Sequence, residues 1–317
     1  MKDATITPTD NGHYLLKGHD AAPMITGPIE NVRYVRHRVG GADYLVATAG
    51  SGEPVLLLHG FPQTHYCWRY LIPALAQRGH SIVAPDLRGY GGSHAEPGGP
   101  RGEGFSKREI AGELVELMRS LGFERFAVVG HDRGARVAYR MALDHPGRVQ
   151  CLAVLNVIPT VDQFGRMANG PSLGYWPWFL LAQPAPFPEQ LLEAAPEQFL
   201  RFIFGSWPAD PAAIDEEAFA VYLDALNETT APAICSDYRA SFWLDQEHEQ
   251  ADRQAARRIE CPTLVLTGAA ETQLSDAVAV WREWASDVRA DTLPGGHFIP
   301  EEAPDALAAA LATFLAT

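Results

Sequence analysis

The chain has 317 residues, 47% of them hydrophobic and 20% charged, with a formal net charge of −14; this balance suits a soluble globular protein with a large core and excludes wholesale disorder. So acidic a chain excludes a nucleic-acid partner, since duplex binding needs a basic face to displace counterions, and no apolar run reaches the length that crosses a bilayer. Cys67, Cys151, Cys235 and Cys261 are scattered without disulfide or metal-site spacing, so they are expected as small buried residues, with no metal.

Residues 1–30 are polar, glycine-containing and aperiodic, and form an N-terminal extension of unknown role. Its first residues lack a basic stretch followed by an apolar one, so a cytoplasmic location is expected. Strands are then predicted at Val32–Val39, Tyr44–Ala49 and Pro54–Leu58, the last reading as buried on both faces. A helix over Cys67–Gln77, a strand at His80–Ala84, a helix over Lys107–Leu121 and strands at Arg125–Val129 and Val149–Val157 continue an alternation that implies a mostly parallel sheet covered by helices on both faces. From about 161 to 258 the rhythm gives way to aromatics, prolines and short amphipathic stretches, which predict an inserted helical cap. The alternation resumes with a strand at Thr263–Thr267, a helix at Ala277–Ala285, a strand at Arg289–Leu293 and a last helix from Pro304. The expected core domain is thus 31–160 with 259–317, and the cap is 161–258.

The most informative segment is Gly130-His131-Asp132-Arg133-Gly134. It lies between an apolar strand and a helical pattern, the setting of a strained turn that lifts its central side chain out of a sheet, with glycines where backbones crowd. The centre is a carboxylate instead of a serine. A carboxylate is already ionised and needs no base, so Asp132 suits displacement at a saturated carbon, leaving an ester that water must then hydrolyse with the help of a base. His297, in Gly-Gly-His-Phe after a late strand, is the candidate base. The backbone N–H groups of Phe61, after His59-Gly60, and of Arg133 would receive developing negative charge. Arg133 and Arg136 carry guanidinium forks that match a carboxylate, so a substrate acid group beside the reacting carbon is expected.

The order of these pieces, nucleophile, acid, histidine, is that of an α/β-hydrolase fold, with an eight-stranded mostly parallel sheet. His131 to Arg140, Asp144-His145-Pro146, Phe179 to Pro188, Ser236 to Ala240 and Gly296 to Glu302 together resemble haloacetate dehalogenases of the fluoroacetate type, over nearly everything from Tyr34 to the C-terminus. The resemblance implies that Asp132 is the nucleophile and His297 the base, and that Arg133 and Arg136 hold the substrate carboxylate. It further implies that Trp178 and Tyr238 bind the departing halide and Trp207 lines the pocket. No organic cofactor is implied, the partner is a small molecule, and the acidic exterior is compatible with a homodimer.

Two positions depart from that pattern. Pro177 stands where the family has a halide-binding histidine and offers no donor, which favours chloride or bromide over fluoride. Asn156 stands where the family has the aspartate that orients the histidine; Glu271, after the strand at Thr263–Thr267, is the expected substitute, with Asn156 acting alone and the more distant Asp276 as alternatives. An epoxide hydrolase would use the same Asp132 and His297 with Tyr238 as proton donor and Tyr222 or Tyr175 as a second. A binding protein that has lost turnover is the third reading.

Overall fold

In the computed structural model, residues 28–169 and 173–316 are described, together with three short strands before them, β1 (Ile6–Pro8), β2 (Tyr14–Leu16) and β3 (Met24–Ile25). These three pair antiparallel in that order, so the extension carries local strand pairing that its composition does not announce. The main sheet comprises β4 (Arg33–Val39), β5 (Ala42–Gly50), β6 (Glu53–Leu58), β7 (His80–Pro85), β8 (His94–Ala95), β9 (Phe126–His131), β10 (Val149–Leu155), β11 (Thr263–Gly268) and β12 (Val288–Leu293). Eight strands follow one path, β12-β11-β10-β9-β6-β7-β5-β4, and the two-residue β8 beside β5 adds a ninth to the eight expected. β4, β5 and β7 pair antiparallel, and every pairing from β7 across to β12 is parallel. Val55–Leu58 and Phe126–Val129 are buried, the continuous apolar run required of parallel strands covered on both faces.

The expected helix over Cys67–Gln77 is instead a 3₁₀ turn, His65–Trp68, followed by a helix, Leu71–Ala76. Pro73 has no N–H to donate and clashes with a preceding turn, so it is tolerated only in the first turn, and the helix begins just ahead of it. β10 stops at Leu155 because Asn156 adopts φ 55°, a left-handed conformation no strand can continue through.

Among the described residues between β10 and β11, seven α-helices run from Thr160–Asn169 to Gln246–Gln254, with a π-helical turn, Ser241–Asp245, leading into the last. No helix among the described residues is long and apolar enough to cross a membrane. The C-terminal ends of β6, β9, β10, β11 and β12, neighbours in the sheet, lead into Phe61, Asp132, Asn156, Glu271 and His297. Residues far apart in sequence therefore converge on one edge, where open α/β sheets hold their ligands.

Candidate active site

Asp132 joins β9 to the helix Arg133–Asp144 with φ 45° and ψ −114°, a conformation that non-glycine residues avoid. The turn is tight enough that a Cβ on Gly130 would come within 2.5 Å of Ala135 Cα, and one on Gly134 within 2.2 Å of Leu58 O. Asp132 Oδ2 accepts the Phe61 N–H at 3.0 Å. The Arg133 N–H opens the helix, among the groups that a helix leaves without an internal acceptor. Burial alone would raise the Asp132 carboxyl, but His297, His131, Arg133 and Arg136 around it hold it below the usual carboxylate value, so the side chain is ionised.

His297 follows β12 on a loop pinned from several sides. Its N–H donates to Trp207 O at 3.3 Å, and its carbonyl accepts from Asn156 Nδ2 and from His131 Nε2, each at 2.7 Å. Glu302 secures both neighbours, accepting from Gly296 N and Phe298 N at 2.9 Å each. The ring stands edge-on to Trp207 with centroids 5.1 Å apart. Its Nε2 is buried without a hydrogen-bond partner among the described residues, and its Nδ1 lies 3.9 Å from Glu271 Oε1. Glu271 is therefore the carboxylate facing the imidazole; Asp276 pairs with Arg166 instead.

Asn156 does something else. Its Oδ1 accepts Gly268 N at 2.8 Å, and its Nδ2 donates to Gly296 O at 2.9 Å and His297 O at 2.7 Å. The amide therefore clamps the end of β11 to the His297 loop and makes no bond to the imidazole, which corrects the expectation that it could support the ring alone. An aspartate here would aim charge at two carbonyl oxygens in place of two donors. Asn156→Asp is expected to lose about 1–3 kcal/mol of stability, read as a lower melting temperature, without a gain in turnover. His131 is a second clamp that sequence reasoning missed: burial and the neighbouring His297 push its pKa down to about 3, so it stays neutral and donates from Nε2.

The two arginines part company. Arg136 lines the cavity over Asp132; its Nη1 donates to Ile158 O at 3.0 Å and Thr160 Oγ1 at 3.1 Å, and its Nε has no partner among the described residues. Arg133 is not among the lining residues. Its Nε donates to Asp237 Oδ2 at 2.7 Å and its Nη2 to Asp237 O and Ser241 Oγ, leaving Nη1 alone unpartnered. Its guanidinium sits 4.2 Å from the Tyr238 ring centroid and 4.9 Å from that of Trp178, while Arg136 lies 4.6 Å from Trp178. Both cations thus face the aromatic wall of the site, worth about 1–2 kcal/mol each when desolvated.

The cavity, about 990 Å³, is lined by Asp132, Arg136, Asn156, Glu271 and His297 on the sheet side and by Trp178, Trp207, Tyr238, Tyr175 and Gln163 from the helical insertion. Pro177 also faces it and brings no donor. Tyr222, the other tyrosine considered for a second proton donor, is buried away from the cavity with its hydroxyl on Glu301.

A strained acidic elbow at the edge of a parallel sheet, a loop histidine facing it and an N–H on the elbow's own carboxylate are the parts of a hydrolytic site. A family profile described as alpha/beta hydrolase fold matches residues 53–304. The chain is 41% identical to a fluoroacetate dehalogenase from a Burkholderia species, over 87% of this chain and 91% of that protein. It is 32% identical to a soluble epoxide hydrolase from Corynebacterium sp. (strain C12), over 81% and 88%. Among solved structures, ALR0039 from Nostoc sp PCC 7120, described as an alpha/beta hydrolase, superposes with a TM-score of 0.86 at 42% identity, covering 90% of this chain and 98% of that one. The chain belongs to the α/β-hydrolase family, in its haloacetate dehalogenase type, and is a hydrolase.

Proposed function

We propose that this hydrolase removes halide from short 2-halocarboxylates through an ester on Asp132. Asp132 Oδ1 attacks the halogen-bearing carbon, the carbon–halogen bond breaks, and halide departs toward Trp178 and Tyr238. His297 Nε2 then takes a proton from water, whose oxygen adds to the ester carbonyl carbon. The resulting oxyanion forms on Oδ2, and its collapse expels the 2-hydroxy acid, reprotonated from His297. The observation that carries this reading is the Phe61 N–H on Oδ2. A donor on the nucleophile's own oxygen is useless for attack but is placed for the tetrahedral oxyanion of an aspartyl ester. Glu271 would hold the imidazolium.

The test is halide release from chloroacetate and bromoacetate, followed over many turnovers in oxygen-18 water: label is expected in the Asp132 carboxylate. Absence of release from every haloacetate would overturn the reading. With Pro177 offering no donor, chloride and bromide are expected ahead of fluoride. The Arg136 edge left free by its Nη1 bonds would take the substrate carboxylate. Arg136→Leu is expected to raise KM for chloroacetate roughly 10- to 100-fold, as losing a charge-assisted bond does, with little change for neutral chloroacetamide.

Epoxide opening is the second reading, favoured by Tyr175 and Tyr238 both reaching the cavity wall, where two hydroxyls could protonate the opening oxygen. Diol formation without halide release would select it.

A further inference from the structure

Gln163 is 3% exposed, lines the cavity, and holds an amide nitrogen with no hydrogen-bond partner among the described residues. A buried amide N–H without an acceptor is unfavourable, so a donor left in that state on a cavity wall points to an acceptor bound in the cavity. Its position says what. Gln163 belongs to the helix Thr160–Asn169, and residues three apart share a helix face. Thr160, one turn earlier on that face, accepts Arg136 Nη1 at 3.1 Å, and Gln163 and Arg136 line the same cavity. Tyr175 is the other neighbour: the amide opposes the upward shift that burial gives that hydroxyl, yet Nε2 reaches no hydrogen-bond geometry with it.

A carboxylate bound only by the Arg136 edge would leave acceptor capacity buried and unmet, because two oxygens offer about four lone-pair sites. Arg133 is not among the lining residues: Asp237 and Ser241 take its Nε and Nη2, while its Nη1, like the Gln163 amide, is buried without a partner among the described residues. We infer that Gln163 Nε2 is a further contact to the substrate carboxylate, so that an amide joins the arginine side of this site in recognising the acid group. The inference rests on the reading of the substrate as a 2-halocarboxylate.

Gln163→Met keeps the side-chain length and removes the donor; Gln163→Glu adds a like charge. Calorimetric binding of glycolate, the product acid, is measured alongside halide release from chloroacetate and bromoacetate. Expected is a loss of glycolate affinity of roughly tenfold to a hundredfold in Gln163→Met, larger in Gln163→Glu. KM should rise in step for both haloacetates, the chloride-to-bromide kcat ratio should stay as in wild type, and the melting temperature of Gln163→Met should be no lower. Equal glycolate affinity in wild type and Gln163→Met overturns the inference, as does failure of glycolate to bind wild type at all. A loss confined to kcat and greater for chloride than for bromide also overturns it, since that would place the amide at the leaving group. Weakened glycolate binding in a protein whose wild type releases no halide would sustain the carboxylate contact while the dehalogenase reading fails.

Discussion

His297→Gln is expected to turn the enzyme into one that reacts once. Steady-state halide release should fall on the order of 10²- to 10⁴-fold, the contribution of a positioned general base. A single burst of halide, stoichiometric with protein, should remain. The asymmetry follows from the nucleophile: a carboxylate needs no base to become a nucleophile, and Arg133 and Arg136 stay beside Asp132 when His297 is replaced, so attack on carbon needs no proton removed. Water attacking the ester does. Intact mass after exposure to bromoacetate should show one carboxymethyl group, absent in Asp132→Asn. Glu271→Gln should leave the burst intact and slow only the second phase, raising the steady-state fraction of ester. Undiminished turnover in His297→Gln would remove the histidine from the mechanism.

Much of this site is legible in the chain because its chemistry is local. Gly130-His131-Asp132-Arg133-Gly134 combines a strand, a carboxylate and two glycines whose absent Cβ atoms the fold requires, all within a few residues. Likewise Glu271 follows the buried apolar strand β11, His297 follows a pair of glycines after β12, and the order of parallel strands then brings them together. What stays hidden depends on distance in sequence. Nothing near Arg133 announces that Asp237, 104 residues later, takes its Nε, so two adjacent arginines read as a matched clamp although one lines the cavity and the other does not. Asn156 reads as a degraded aspartate because its role is set by the carbonyls of Gly296 and His297, 140 and 141 residues away. β8 is two residues long and carries too little alternation to be seen. Gln163 has no sequence signature at all, since its significance lies in a partner it lacks.

Asp237→Ala is expected to be the most destabilising change in the molecule outside the hydrophobic core. Asp237 is 2% exposed. It accepts from Arg133 Nε at 2.7 Å, from Tyr90 Oη at 3.0 Å and from Lys107 Nζ. Through these bonds, one carboxylate on the insertion helix Ala231–Ala240 ties down the loop after β7, the start of the helix Lys107–Ser120 and the elbow helix. Its removal leaves two buried cations facing each other, with Lys107 keeping only Asp245 at 3.7 Å. Breaking a buried pair in this way costs about 3–5 kcal/mol, because an uncompensated charge remains out of water. The loss should appear as a melting temperature several degrees lower and as weakened turnover, since Arg133 would no longer be fixed against Tyr238 and Trp178. Removing the stranded cation should undo part of the damage, so Lys107→Met is expected to destabilise wild type yet to raise the melting temperature of Asp237→Ala, a non-additivity of the kind that contacting groups show. The pH dependence gives an independent check. Burial opposes ionisation of Asp237, but Arg133 and Lys107 outweigh it and hold the pKa down to about 2. A depressed carboxyl contributes its stability above the unfolded value of about 3.9 and loses it only as pH falls toward the folded value. Wild type should therefore keep this contribution to about pH 4 and surrender it below, whereas Asp237→Asn, already without it at neutral pH, should show a shallower acid limb. Equal melting temperatures for Asp237→Ala and wild type would mean that the two cations are satisfied some other way and that the network does not join the insertion to the sheet.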